Sequence, residues 1–323
     1  MNRTCFPTIY WMIRCVILVL VSTCCLLTLP STATAGFVPP KDSLWGKLSY
    51  LHKRADQDYL GRHAQSFDSS VELGEVGEFR ALNGDVVGGS IRSHELALTV
   101  IYSPFERWAL ELYAPVFRHL QYTNDVPFQT KAVGPGDPAV AMGYQLTPRH
   151  MQRMGVSIYL HGKIPTGTAY PFANEATRST GQFDTGLETR ATVDLGPNIL
   201  LSGRLLGRYR FAFRDGERRS KPGNELEFGF GLGGAPLDSL WLSAGYSGLR
   251  STGLRENFGP VQDGIRTQSQ YDSAYIGAYL KIGNWLGDGA WEGLAIDLIG
   301  HYVFAGRDYP QESSLGVGLA YSR

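Results

Sequence analysis

Cysteine is missing from almost the whole chain. The 323 residues contain four, Cys5, Cys15, Cys24 and Cys25, all within the first 25 positions. The body that follows cannot build a disulfide scaffold, a thiolate zinc site, an iron–sulfur cluster or a cysteine nucleophile. An excess of one charge is missing too. Lys and Arg number 30 and Asp and Glu number 30, which argues against a nucleic-acid partner, since that would call for a basic surplus. After the first 29 residues no run of 18 apolar residues occurs, so a helical inner-membrane transporter is excluded. There is no G-x-S-x-G and no pair of ligands at a spacing such as H-x-x-x-H, so neither a hydrolase nucleophile elbow nor a helical zinc site is indicated. Apolar residues are plentiful, at 43%, and they come with 39 glycines and 17 tyrosines. That composition is too apolar for a disordered chain.

Residues 1–35 read as a secretory signal peptide. Arg3 and Arg14 supply positive charge, Cys15 to Leu29 form an apolar stretch, and Ala33-Thr34-Ala35 make a small-x-small cleavage site. An uncleaved anchor is the alternative, but the apolar stretch is shorter than the ~20 residues a spanning helix needs. Thr23 before Cys24 fits a lipoprotein signal poorly. Cleavage would leave 28 basic against 30 acidic residues, and a chain that is either a soluble exported protein or a membrane β-barrel.

From about residue 70 the pattern has a period of two. Apolar sets share one parity: Leu96, Leu98, Val100 and Tyr102; Leu110 and Leu112; Val140, Met142 and Tyr144; Val156, Ile158 and Leu160; Leu201, Leu205 and Tyr209; Leu226, Phe228 and Phe230; Leu315, Val317 and Leu319. The opposite parity carries Glu111 and Tyr113; Tyr159, His161 and Lys163; Glu188 and Arg190; Arg204, Arg208 and Arg210; Glu225 and Glu227. A soluble sandwich also alternates. These segments are longer than the ~5–6 residues usual in globular sheets, and they match the ~9–11 of a tilted membrane strand. Connections alternate as well. Short ones are expected at Ser103–Arg107, Thr147–Arg153, Leu195–Asn198 and Ala235–Ser239, and longer ones near Gln121–Gly136, Pro165–Gly181, Arg214–Gly223 and Ser251–Gln268. Outer-membrane barrels sort periplasmic turns from outer loops in this way. With a first strand near Val71–Leu82 the count is twelve, which leaves both termini in the periplasm. Tyr102, Phe105, Trp108, Trp285 and Trp291 would form one aromatic girdle, and Tyr209, Phe211, Phe213, Tyr302 and Phe304 the other. Pro115 would remove a ladder donor, so a bulge or strand end is expected there. Tyr271, Tyr275 and Tyr279 share parity with Lys281, whose charge places that face inward.

The predicted organisation is a signal peptide at 1–35, an N-terminal periplasmic segment at 36–68 and an all-β, antiparallel up-and-down barrel of about 12 strands at 69–323. In the N-terminal segment Asp42 or Ser43 could cap a short helix with Leu44, Leu48 and Leu51 on one side. A plug and a flexible tail fit the periodicity equally well. Acids and bases on neighbouring inward faces can pair across strands. The residues expected to face the lumen and solute are Glu111, Tyr113, Tyr159, His161, Glu188, Arg190, Arg204, Arg208, Arg210, Glu225 and Glu227. Mutual pairing that fills the interior and a polar constriction that orients a solute are both open readings. A barrel hydrolase would need a histidine with a nucleophile. His94 near Ser90 is the nearest approach to one, and an enzyme is not expected.

Gly134-Pro135-Gly136-Asp137 followed by Gly143-Tyr144, then Lys163-Ile164-Pro165-Thr166-Gly167, then Ser179-Thr180-Gly181-Gln182-Phe183-Asp184 stand in a telling order. The string resembles the outer-membrane proteins named for the meta pathway of phenol degradation. What the resemblance implies is a monomeric outer-membrane β-barrel that helps hydrophobic or aromatic compounds enter a Gram-negative cell. The expected partners are outer-membrane lipid, a small-molecule solute and the assembly machinery, with no cofactor, metal or nucleic acid. Such barrels usually end in an aromatic residue, whereas here Tyr321 stands two positions inside the end. A passive channel for small hydrophobic or aromatic solutes is the leading expectation, and a closed barrel that works through its outer loops is the alternative.

Overall fold

A two-residue period becomes, in space, the two faces of one closed wall. The computed structural model describes residues 38–60, 63–66, 89–124, 129–148, 153–166, 182–215, 218–221, 223–252, 255–258, 262–263, 270–286, 291–307 and 309–323. Twelve long strands carry the wall: β1 (Leu44–Leu60), β2 (Gly89–Tyr102), β3 (Trp108–Asn124), β4 (Ala139–Gln145), β5 (Met154–Lys163), β6 (Asp184–Gly196), β7 (Ile199–Arg210), β8 (Glu225–Leu237), β9 (Leu240–Ser251), β10 (Gln270–Lys281), β11 (Leu294–Arg307) and β12 (Tyr309–Ser322). Each pairs antiparallel with the next, and β12 pairs with β1 to close the barrel. Closure leaves no sheet edge, which a lipid-embedded sheet must avoid because lipid offers no hydrogen-bond partners. Short strands extend the wall beyond the barrel, at His63–Ser66 beside β1 and Gln129–Gly134 beside β3.

The first wall strand is not the one the periodicity suggests. Residues 44–60, read from sequence as part of a helix, plug or tail, form β1, bonded to both β2 and β12. Leu44, Leu48 and Leu51 mimic helical spacing, but they divide between the two faces. Leu44 and Leu48 are exposed on the outer face, while Leu51 is buried with Lys47 and Lys53 on the inner one. The expected strand at Val71–Leu82 and the signal peptide lie outside the described residues. The strand count is still twelve, and Leu44, where the first wall strand begins, and Arg323 sit together at the short-turn end.

The connections sort by end. β2–β3, β6–β7 and β8–β9 are joined by tight turns, and the β10–β11 connection begins with one helical turn at Gly283–Leu286; part of the β4–β5 connection lies outside the described residues. In the β6–β7 turn Asn198 takes a left-handed φ of 62°, a conformation asparagine tolerates. Pro115 does mark a bulge. Ala97 faces Pro115 and Leu96 faces Phe117, so Val116 is the extra residue in β3.

Leucines, phenylalanines and tyrosines of the expected parity line the outer face, exposed in the free chain and in contact with lipid in place. Trp108 lies against Tyr144 at the short-turn end, ring centroids 5.0 Å apart. Phe183, Phe211 and Tyr209 cluster at the opposite end, with centroids 4.9–5.5 Å apart.

Candidate lumen site

The inner wall is charged, aromatic and tightly paired. Its main network starts at Glu111 on β3. Arg190 on β6 donates to both Glu111 oxygens, at 2.7 and 2.9 Å, and also to Glu188 at 2.9 Å. Glu188 accepts from His161 Nε2 at 2.6 Å and lies 3.7 Å from Arg204. Arg204 pairs with Glu227, and Arg208 pairs with Glu225 and, at 3.3 Å, with Glu227. Arg210 donates to Glu225 at 2.8 Å and lies 3.8 Å from Asp184. Tyr159 lies under this network, its ring centroid 3.8 Å from the Arg190 guanidinium carbon. Tyr113 donates to Glu95. Every residue expected from sequence to face the interior therefore stands on the inner wall, and all but Tyr113 join the β3–β8 network. Buried charges persist only when paired in this way.

A second group escaped the sequence reading as site residues, although it carries the motifs. Asp137 of Gly134-Pro135-Gly136-Asp137 is buried, and its Oδ1 accepts the Thr166 amide at 2.9 Å. Thr166 Oγ1 donates to Gly136 O at 3.0 Å. Lys163 reaches Asp184 at 2.6 Å and Asp137 at 3.9 Å, and Gln182 donates to Asp184 at 2.9 Å. Three motifs spread over residues 134–184 thus meet in one cluster at the outer end of β4, β5 and β6. Gly136 is required there: its amide donates to Pro115 O at 2.9 Å, and a Cβ would stand 2.8 Å from Pro115 Cγ. This is the point where β3 exchanges its partner, from β4 below to Gln129–Gly134 above.

Glu95 and Arg118 form a further buried pair, with Arg118 Nε donating at 2.7 Å. Strict alternation from Trp108 would turn Arg118 toward lipid, and the Val116 bulge turns it inward. Lys47 pairs with Asp297 at 2.8 Å and Lys53 with Glu312 at 3.1 Å on the far wall.

Beside the ions, on the next two strands, runs an aromatic track. Tyr271, Tyr275 and Tyr279 face inward along β10, as Lys281 implied, and Trp241 stands beside them on β9. Glycines make room for them. A Cβ at Gly231 or Gly245 would overlap Tyr275, and one at Gly233 would come within 2.7 Å of the Trp241 ring. Near the short-turn end Val38 enters the interior. Its side chain packs with Ile101, Ala109, Ala141 and Tyr159, and its amide donates to Gln145 Oε1 at 3.1 Å. Among the described residues no group of three His, Cys, Asp or Glu could hold a metal ion.

Solved structures align along most of the chain. An outer membrane channel from Pseudomonas putida F1 aligns over 91% of this chain and 98% of its own, at 14% identity and a TM-score of 0.65. The transport unit of the autotransporter AIDA-I from Escherichia coli covers 95% of this chain and 98% of its own at 9% identity and a TM-score of 0.48. The translocator domain of the autotransporter NalP from Neisseria meningitidis covers 98% and 99% at 12% and 0.45. No curated protein matches by sequence. A family model described as "Putative MetA-pathway of phenol degradation" matches residues 66–318, most of the chain. This protein, a twelve-stranded barrel of the Gram-negative outer membrane, belongs to that family.

Proposed function

We propose that the protein is a passive channel for small hydrophobic or aromatic solutes, monomeric and without cofactor or catalytic activity. The observation that carries this reading is the division of the inner wall. On one flank carboxylates and guanidiniums are matched to one another, so little net field is left to hold an ion in transit. On the other, Tyr275, Tyr279 and Trp241 line β9 and β10 over a glycine floor. Such a flank offers dispersion and stacking contacts to an uncharged aromatic solute. The name of the family and that of the Pseudomonas channel agree with this assignment.

A second reading is a barrel with a closed lumen. It is favoured by the complete burial of Tyr159, Glu188 and Tyr271 and by the seat of Val38 at the mouth. Planar-bilayer recordings and liposome uptake of a neutral phenol separate the two. Flux with folded, heat-modifiable protein supports the channel, and its complete absence supports the closed barrel. Replacing Arg204 and Arg208 by Ala should alter conductance or selectivity if they line the path. Unchanged values would leave them a structural role only.

A further inference from the structure

Three rows of the inner wall run side by side across β9, β10, β11, β12 and β1, and the middle row differs from its neighbours. The row nearer the short turns holds Trp241, Tyr279, Asp297, Gly318 and Ser49, and Lys47 reaches its Asp297 at 2.8 Å. The row nearer the outer end holds Gly245, Tyr275, His301, Ser314 and Lys53, with Lys53 paired to Glu312 at 3.1 Å. Between them lie Ser243, Gly277, Ile299, Gly316 and Leu51. This row has no charge and a single hydroxyl.

The middle row leaves room. Apart from its chain neighbours, only Ser243 Oγ, at 2.8 Å, and Leu298 O, at 3.6 Å, lie within 4 Å of where a Cβ would stand on Gly277 among the described residues. Tyr275 and Tyr279 flank Gly277 on the same strand, about 13 Å apart, so the missing side chain opens a slot the width of one aromatic ring. Tyr275 turns away from the slot, over Gly245 and toward Gly231 on β8. Ile299 and Leu51 supply apolar surface, and both lean over Gly316, where a Cβ would come 2.9 and 3.1 Å from them. Ser243, Gly277, Ile299, Tyr275 and Tyr279 are only half-buried although they face the interior, so free space reaches the slot. At its corner stands His301, nine-tenths buried, with no hydrogen-bond partner for Nδ1 or Nε2 among the described residues. Buried polar groups are otherwise paired as a rule. A neutral imidazole carries one donor and one acceptor, so a hydroxyl can bond to it either way. Diagonal neighbours on adjacent strands lie about 7–8 Å apart, a span that one ring and its hydroxyl cover from Gly277 to His301.

We propose that this slot is a subsite for one neutral aromatic ring carrying a hydroxyl, with the ring over Gly277 against Ile299 and the hydroxyl bonded to His301. The assignment rests on the reading of the lumen as a path for aromatic solutes and adds a selectivity to it. A hydroxylated ring satisfies the histidine, and the parent hydrocarbon does not. An aromatic carboxylate is disfavoured, because the middle row carries no cation and Lys47 and Lys53 beside it are already paired with Asp297 and Glu312.

The test compares phenol with toluene on folded full-length protein in detergent, by equilibrium dialysis against protein-free micelles. Phenol should bind at one site, at least fivefold more tightly than toluene. His301→Leu should bring the two to the same affinity. His301→Gln, whose amide also gives and accepts a hydrogen bond, should keep part of the preference, and Gly277→Val should fill the slot and weaken both solutes. His301 has no hydrogen bond to lose, so His301→Leu should fold as well as the native chain, and heat-modifiable migration checks every variant. Equal binding of the two solutes to the native protein overturns the proposal, as does a preference that survives in His301→Leu. Liposome flux keeps this apart from the channel reading. Flux of both solutes without a phenol preference in binding removes the subsite and leaves the channel. Phenol binding that is lost in His301→Leu, with no flux in the native protein, keeps the subsite and removes the channel.

Discussion

Glu111 and Arg190 stand on β3 and β6, with two strands between them, and still meet through two parallel hydrogen bonds of 2.7 and 2.9 Å. The guanidinium reaches across because the intervening wall is thin. Gly143 leaves space for the Tyr159 ring, which lies flat against the sheet and supports Arg190 from below. The pair is a chord across the curve of the barrel rather than a rung of its ladder.

Replacing Arg190 by Leu should therefore destabilise the barrel strongly. It strands Glu111 inside and removes one partner of Glu188, and breaking one side of a buried pair costs about 3–5 kcal/mol. Adding Glu111→Gln should recover part of the loss, because Glu188 keeps His161 and Arg204. Denaturant midpoints in vesicles check both outcomes.

Gly143→Ala should displace Tyr159, since the new Cβ would overlap its ring. Overpacking of this kind costs about 1–3 kcal/mol. In Tyr159→Leu the same alanine should cost much less, so a double-mutant cycle should show a clear coupling between the two positions.

Asp137→Ala should free the end of β5. The Thr166 amide loses its acceptor at 2.9 Å, and its hydrogen exchange should accelerate. Asp137→Asn keeps an acceptor oxygen and should retain most of the protection.

Val38→Asp places a carboxylate among Ile101, Ala109, Ala141 and Tyr159. An unpaired charge there is unfavourable by several kcal/mol, so the segment should leave its seat. Single-channel conductance should rise if Val38 narrows the path and should stay constant if the path is narrowest elsewhere.

Most of the barrel is legible in the chain because lipid on one side and ions on the other enforce alternation over a dozen residues at a time. From β2 onward this puts Leu98, Leu160 and Leu205 outside and Glu188 and Glu227 inside. Alternation fails where another rule intervenes. In β1, Gly46 and His52 occupy the outer face while Trp45 and Leu51 occupy the inner one, so the contrast between faces vanishes and only the pairing with β2 and β12 identifies a strand. In β3 the bulge at Val116 reverses the parity, which hides Arg118 from any strict count. The cluster of Asp137, Lys163 and Asp184 stayed unseen for a different reason. Its three motifs are short, each has a local explanation as a turn, and their meeting depends on a partner exchange along β3 that no periodicity records.

The closing seam has a topological consequence. Leu44 and Arg323 exchange backbone hydrogen bonds, at 2.9 and 2.8 Å, so the polypeptide nearly completes a circle. Contacts between its most distant segments form only when the last strand arrives, and such high contact order slows folding. Once formed, however, the ring has no privileged beginning. A linker across the seam and a new break at Pro197-Asn198 or Asp238-Ser239 would keep every ladder of the wall intact. The barrel would then be built in a different order and end as the same object.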